Sequence, residues 1–367
     1  MLYSGTDHPY MESGGDGFVV VKRRNNPLRE FAMVHQCMGK IGAVHPAKII
    51  DLVKEMGNLV SLSGEYPIMG LSESSILIGR IFSEVFGGPF IFSTRYPVPG
   101  MMSFSEPHSH APAQFLNLSS VRQSSKLCIV EDEITTGNTA MNLIRALTLE
   151  MPNLSEVTMI ALKSFVSSER LSEMQKCADA MGIRFSLHCL YQEPIEENEP
   201  LNICDSEKPE NSVSFDLLAP ELEKGRGRVQ AFSPQQGVMR YEMWGKALGE
   251  INLPSSITVI GASEAIDMAF EISYMLYLKG YDTELRHFTI SPWELPCWSF
   301  HGSQIRSMYL YMPPGKADRN EAYILVYDQL FQEIQVKELA ARLQKMGARV
   351  YLLSNIKGEI QFINVEK

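Results

Sequence analysis

Two adjacent acids, Glu131 and Asp132, stand just ahead of the loop Thr135-Thr136-Gly137-Asn138-Thr139. Carboxylates are natural acceptors for a pair of hydroxyls. The loop offers consecutive backbone N–H groups, several hydroxyls, and one glycine able to take φ > 0. If a helix follows, its free N–H groups and dipole favour an anion at the same place. A diol-accepting acid pair beside an anion cradle suits a ribose 5-phosphate, with Glu131 and Asp132 holding the ribose and Thr135 to Thr139 the phosphate. The plainer alternative is a strand-to-helix turn in which Thr or Asn caps the helix. Capping needs only one such residue and no acid pair.

The elements around these residues suit such a site. An apolar strand, Leu127 to Val130, leads into the acids, and a helix is expected from about Ala140. Strands are also expected at 18–22, 59–62, 90–93, 157–162 and 183–190, with helices at 46–56, 74–86, 139–150 and 168–181. Strands alternating with helices mean βαβ units on a parallel sheet, and ligands then lie at the carboxyl ends of the strands. The fold class is α/β, a Rossmann-like parallel sheet followed by a second, smaller α/β domain.

Further residues can carry chemistry upstream. In GLSESSILIGR, residues 70 to 80, Gly70 permits close backbone approach, and Ser72, Ser74 and Ser75 bring hydroxyls to a helix start beside Glu73. That arrangement suits a pyrophosphate, and equally an ordinary helix capped by Ser72. The stretch 92–115 carries four prolines and one glycine, with Arg95, Glu106, His108 and His110. Arg95 has the forked donors an anion requires. His108 and His110 lack a nearby third ligand, so no metal site is expected from protein side chains. Arg23, Arg24 and Arg29 make the N-terminal segment locally basic, which a solvated face also explains.

The strand, acid pair, Thr/Gly loop and helix resemble the PRPP (5-phosphoribosyl 1-pyrophosphate) motif of type I phosphoribosyltransferases. The resemblance implies transfer of ribose 5-phosphate between PRPP and a nitrogenous base or base-like acceptor, with pyrophosphate as leaving group, or the reverse. It implies Glu131 and Asp132 as catalytic and ribose-binding residues. Ser72, Glu73, Ser74, Ser75 and Arg95 would be pyrophosphate contacts, and residues 101–113 a flap presenting Glu106, His108 and His110 to the acceptor. Mg²⁺ would enter with PRPP, with Asp132 as its one candidate protein ligand. The alternative is a PRPP- or nucleotide-binding regulator or complex subunit without turnover. The order of motifs, with features near Asn26, Arg29, Gly39 and Lys40, is similar to a phosphoribosyltransferase family of bacterial tellurite-resistance and stress gene clusters. There a C-terminal domain named for a Thr-Arg-Ser-Pro motif follows the catalytic one. Here the motif would fall at Thr289-Ile290-Ser291-Pro292, with Ile in place of Arg.

Composition bounds these expectations. At 367 residues, two domains are the prior: 1–191 for PRPP binding, 192–236 as an acidic, Pro-containing linker, and 237–367 as the second domain. The net charge of −10 argues against broad nucleic-acid affinity, which needs basic residues for phosphate neutralisation. No run approaches the roughly 20 apolar residues of a membrane span. With no signal-peptide pattern and six cysteines at no zinc spacing, a cytoplasmic enzyme of nucleotide metabolism is expected, acting on small molecules as a homodimer.

The second half echoes the first. Gly70-Leu71-Ser72-Glu73 parallels Gly261-Ala262-Ser263-Glu264, and Ile129-Val130-Glu131-Asp132 parallels Leu325-Val326-Tyr327-Asp328. The spacing from Glu73 to Asp132 is 59 residues, and that from Glu264 to Asp328 is 64, but no TTGNT loop follows Asp328. Duplication and coincidence between two α/β halves both account for this.

Overall fold

The computed structural model describes residues 11–13, 15–24, 31–62, 66–96, 100–105, 113–194, 234–249, 252–301, 307–311, 321–328, 332–356 and 359–365. The chain begins with strands β1 (Met11–Ser13), β2 (Phe18–Lys22) and β3 (Phe31–His35), then helix α1 (Pro46–Gly57). Next come β4 (Ile68–Gly70), α2 (Ser74–Phe86), β5 (Phe90–Thr94), β6 (Met102–Ser105), β7 (Ala113–Leu116) and β8 (Lys126–Ile134). They are followed by α3 (Asn138–Glu150), β9 (Glu156–Ser164), α4 (Ser168–Ala180), β10 (Arg184–Gln192) and α5 (Pro234–Gly249). The remainder is β11 (Ser256–Ala262), α6 (Ile266–Leu278), β12 (Asp282–Phe288), β13 (Cys297–Phe300), β14 (Met308–Tyr311), β15 (Ala322–Tyr327), α7 (Glu333–Lys345), β16 (Arg349–Ile356) and β17 (Glu359–Val365).

Two compact units result. One takes described residues of Met1–Ile50 together with Met239–Lys367, and the other those of Asp51–Lys224 and Arg228–Val238, called here the 51–224 unit.

The 51–224 unit is built on a seven-stranded sheet in the order β10-β9-β8-β4-β5-β7-β6. Strands β10, β9, β8, β4 and β5 are parallel, and β7 and β6 extend the edge antiparallel. Leu127, Cys128, Ile129 and Val130 are all fully buried, as a parallel strand covered on both faces requires. Leu127, Ile129, Val157 and Met159 share one core with Leu143, Ile144 and Leu147 of α3. The strand expected at 59–62 does not form, and the first parallel strand is Ile68–Gly70 instead. The apolar run 59–62 follows α1 as turn and coil. The three-residue β4 is too short to show a periodicity in sequence.

The other unit carries a five-stranded sheet, β12-β11-β15-β16-β17, parallel except for its last strand. Its core joins Ile260 and Leu325 to Leu339 and Leu343 of α7. The antiparallel meander β1-β2-β3 adds a smaller cluster, in which Val19, Val21 and Val34 pack on Trp293, Leu295 and Tyr311.

Numbered by appearance, the five successive main strands of both sheets lie in the order 2-1-3-4-5. In both, an antiparallel hairpin separates the second and third strands and pairs with the end of the second. Thr94 pairs with Phe115 in one unit, and Thr289 with Tyr309 in the other. Register agrees too, since Gly70 lies beside Val130 and Gly261 beside Val326. The sequence echo therefore has a matching topology. In such sheets the ligand crevice opens at the carboxyl ends where strand order reverses, between β4 and β8 in the 51–224 unit.

Candidate active site

Strand β8 is longer than its apolar run, so Glu131 and Asp132 lie inside it rather than beyond its end. Pairing with β9 continues through Glu131, Glu133 and Ile134, which fixes the acids on a rigid element at the crevice. Glu131 and Asp132 are consecutive on this strand, and their carboxyl groups lie within hydrogen-bonding reach of each other. The chain then turns at Thr135–Gly137. Gly137 is the N-cap of α3 and adopts φ 78°, the left-handed conformation for which a glycine was expected. Asn138 begins the helix and donates its N–H to Thr136 Oγ1 at 3.3 Å. Asn138 is buried, while Thr135, Thr136 and Thr139 are half-buried. A thirteen-residue helix therefore directs its positive end at a loop of hydroxyls.

The upstream segment meets this strand directly. Ser75, the second residue of α2, donates its hydroxyl to Glu131 Oε1. The same Ser75 oxygen accepts the N–H of Asp132 at 3.0 Å, and that N–H also reaches Glu131 Oε1 at 2.9 Å. Two regions 56 residues apart in sequence are thereby joined at the carboxyl ends of β4 and β8. Burial, and next the charge and hydrogen bonding of Asp132, push the Glu131 carboxyl well above the usual carboxylate range. Ser75 and the Asp132 N–H oppose that shift. Gly70 makes the approach possible, since a Cβ there would fall 2.4 Å from the Ser75 carbonyl oxygen.

Ser72, Glu73 and Ser74 are buried between β4 and α2, and the Ser72–Glu73 peptide is cis. Glu73, not Ser72, is the N-cap residue of α2, and its side chain makes no capping bond. Ser72 is held from both sides. Its N–H donates to Ser93 Oγ at 2.7 Å, and its carbonyl accepts from Arg95 Nη2 at 2.9 Å. Ser93 in turn donates to Gln114 Oε1. Ser93 and Gln114 had no signal in the sequence, because a single strand serine and a glutamine beyond a Pro-rich stretch mark nothing by type or spacing. Glu106, His108 and His110 of the expected flap, and Asn26 and Arg29, lie outside the described residues. Among the described residues, no three His, Cys, Asp or Glu side chains converge as metal ligands.

The Thr-Ile-Ser-Pro segment has a structural counterpart in the 51–224 unit. Thr289 Oγ1 accepts the N–H of Ser291 at 3.1 Å, and Thr94 Oγ1 accepts that of Tyr96 at 3.2 Å. Ile290 occupies the position of Arg95 but is buried in an apolar cluster with Phe288 and Phe300.

Residues 18–193 match a protein family described as phosphoribosyl transferase. Among solved structures, the chain is similar to adenine phosphoribosyltransferase from Rhodothermus marinus, with 14% identity, 48% of this chain and 94% of that chain covered, and a TM-score of 0.35. The Trypanosoma brucei enzyme in complex with AMP, pyrophosphate and ribose-5-phosphate shows 16% identity, 47% and 75% coverage, and a TM-score of 0.30. The Giardia lamblia enzyme complexed with 9-deazaadenine shows 11% identity, 47% and 93% coverage, and a TM-score of 0.34. A comparison with curated proteins finds no match. The family match supports a phosphoribosyltransferase, a glycosyltransferase-type enzyme. Among the described residues, no helix is long and apolar enough to cross a membrane.

Proposed function

We propose that the 51–224 unit transfers ribose 5-phosphate between PRPP and a nitrogenous base or base-like acceptor, with pyrophosphate as the leaving group or attacking partner. One observation carries the reading: Ser75 of the upstream segment is bonded to the acid pair on the strand that feeds the Thr135–Thr139 loop. Phosphate in the loop places the ribose diol over Glu131 and Asp132, and the leaving group over Ser72 to Ser75. A neutral Glu131 can donate to a ribose hydroxyl as well as accept from one.

Mg²⁺ fits the donor set. The site offers carboxylate oxygens from Asp132 and Glu131, and this ion takes one or two carboxylates with the remainder from phosphates and water. When bound, it would neutralise charge on the departing pyrophosphate. The chain itself positions the two phosphates and stabilises the cationic ribosyl centre with a nearby carboxylate. Nucleophilic catalysis by the protein is not required.

Calorimetric titration with PRPP and Mg²⁺ tests the assignment in the native chain, Asp132→Asn and Thr136→Val. Binding should weaken about tenfold or more in each variant, as for loss of a charge-assisted hydrogen bond. Equal affinity in all three would remove the site. Pyrophosphate release with purines, pyrimidines and small amines then identifies the acceptor.

A further inference from the structure

We propose that Ser93, backed by Gln114, is a positioning residue that holds the pyrophosphate segment in its binding conformation. The inference rests on the phosphoribosyl-transfer reading above. Both side chains are buried. Ser93 Oγ accepts the Ser72 N–H at 2.7 Å and spends its own proton on Gln114 Oε1. A hydroxyl whose proton is committed elsewhere presents its lone pairs to the backbone, so Gln114 fixes the direction in which Ser93 accepts. Arg95 fastens the other side of the residue through the Ser72 carbonyl at 2.9 Å. Both backbone groups of Ser72 are thereby pinned at the mouth of the crevice.

The second unit shows the same Gly-x-Ser-Glu pattern without these anchors. Register makes Ser263 the counterpart of Ser72, with Phe288 and Ile290 in the places of Ser93 and Arg95. The Ser263 carbonyl is met instead by His287 Nε2 at 3.0 Å, and the buried Ser263 Oγ finds no partner among the described residues. Ser263 takes φ 48°, a left-handed conformation that Ser72 does not adopt. At the same time Ile266 stands where Ser75 does, and Tyr327 where Glu131 does. Gly-x-Ser-Glu at a strand end thus follows a different path once the anchors are lost. Sequence pattern alone does not set the loop.

The test is calorimetric titration of the full chain with two separate probes, pyrophosphate with Mg²⁺ and ribose 5-phosphate. Ser93→Ala should weaken pyrophosphate about tenfold to a hundredfold, in line with about an ångström of misplacement, while ribose 5-phosphate shifts by less than about twofold. Ser93→Thr, which keeps the hydroxyl, should recover most of the loss. Gln114→Met, which fills similar volume, should weaken pyrophosphate in the same direction by less and serves if Ser93→Ala does not fold. Parallel loss of both probes would reduce Ser93 to a structural role, and unchanged pyrophosphate affinity would overturn the proposal. A native chain that binds ribose 5-phosphate but not pyrophosphate refutes the segment's assignment alone. One that binds neither refutes the phosphoribosyl reading itself.

Discussion

Ser75 and Glu131 meet at the carboxyl ends of neighbouring strands, and one serine oxygen both donates to the carboxylate and accepts the N–H of the next residue, Asp132. The contact couples two ligand segments, so the backbone that would hold pyrophosphate cannot move independently of the acids that would hold ribose. In the second unit both partners change together, to Ile266 and Tyr327, and the polar link is gone. A difference at both positions together is what a buried polar contact predicts, because changing either residue alone would leave a buried polar group unmatched.

The raised pKa of Glu131 has a definite sign in stability. Between the ordinary carboxylate value of 4.5 and the raised folded value, the unfolded chain has released this proton while the folded chain keeps it. Stability therefore falls as pH rises through that window, by up to about 1.4 kcal/mol per pH unit. Glu131→Gln should abolish the dependence and stabilise the 51–224 unit at neutral pH. Scanning calorimetry of both chains from acid to neutral pH measures it. Parallel profiles would show that Glu131 is not the titrating group.

The glycines Gly70 and Gly261 hold equivalent places and should respond differently in function. A Cβ at Gly70 would lie 2.4 Å from the Ser75 carbonyl oxygen, and one at Gly261 2.7 Å from Ile266 Cα. Both contacts are to backbone, so alanine must push a helix away from its strand, at about 1–3 kcal/mol. Gly70→Ala displaces Ser75 from Glu131 and should also abolish pyrophosphate binding. Gly261→Ala should lower thermal stability by a similar amount and leave that binding intact. Loss of binding in both variants would refute the assignment of the site to one unit.

Much of the site was legible because its parts are local. The acid pair and the TTGNT loop are contiguous, and the demand for a left-handed glycine at Gly137 follows from the turn itself. Parallel strands such as β8 and β9 announce themselves as apolar runs. What escaped was carried by distance or brevity. The Ser72–Ser93–Gln114 chain spans three elements and uses residues of no distinctive type. The three-residue β4 has a weaker apolar signal than the longer run at 59–62, which forms no strand. The extension of β8 through three acids was hidden because charged residues are poor strand formers, and only pairing with β9 keeps them extended.

Gly137→Ala tests the cradle. The position has φ 78°, and an added Cβ would sit 2.5 Å from Met174 Sδ. The methionine end can shift, so the backbone conformation decides the cost, about 1–2 kcal/mol for a non-glycine residue in the left-handed region. Ribose 5-phosphate affinity should fall, because relief of strain rotates the N–H groups that face the anion. Calorimetric titration measures it. Unchanged affinity would mean that the loop's N–H groups do not hold the phosphate.

The meander β1-β2-β3 leads to a prediction about Tyr311. Its hydroxyl donates to the Ser291 carbonyl at 2.6 Å and accepts the Trp293 N–H at 2.6 Å, while its ring stacks on Trp293 with centroids 5.0 Å apart. Burial pushes the phenol far above its ordinary pKa, so it remains a neutral donor. Tyr311→Phe keeps the stacking but leaves two buried backbone groups unpaired, at about 1–3 kcal/mol. Tyr309→Phe is the control. Its ring stacks on Tyr311 at 6.1 Å, yet it is only half-buried, so about 0.5 kcal/mol or less is expected. All three tryptophans of the chain, Trp244, Trp293 and Trp298, belong to this unit, so indole fluorescence during denaturant unfolding follows it alone. A lower midpoint for Tyr311→Phe than for Tyr309→Phe would establish the hydroxyl as the bracket that closes the Ser291–Trp293 turn. Equal midpoints would leave stacking as the sole contribution of Tyr311.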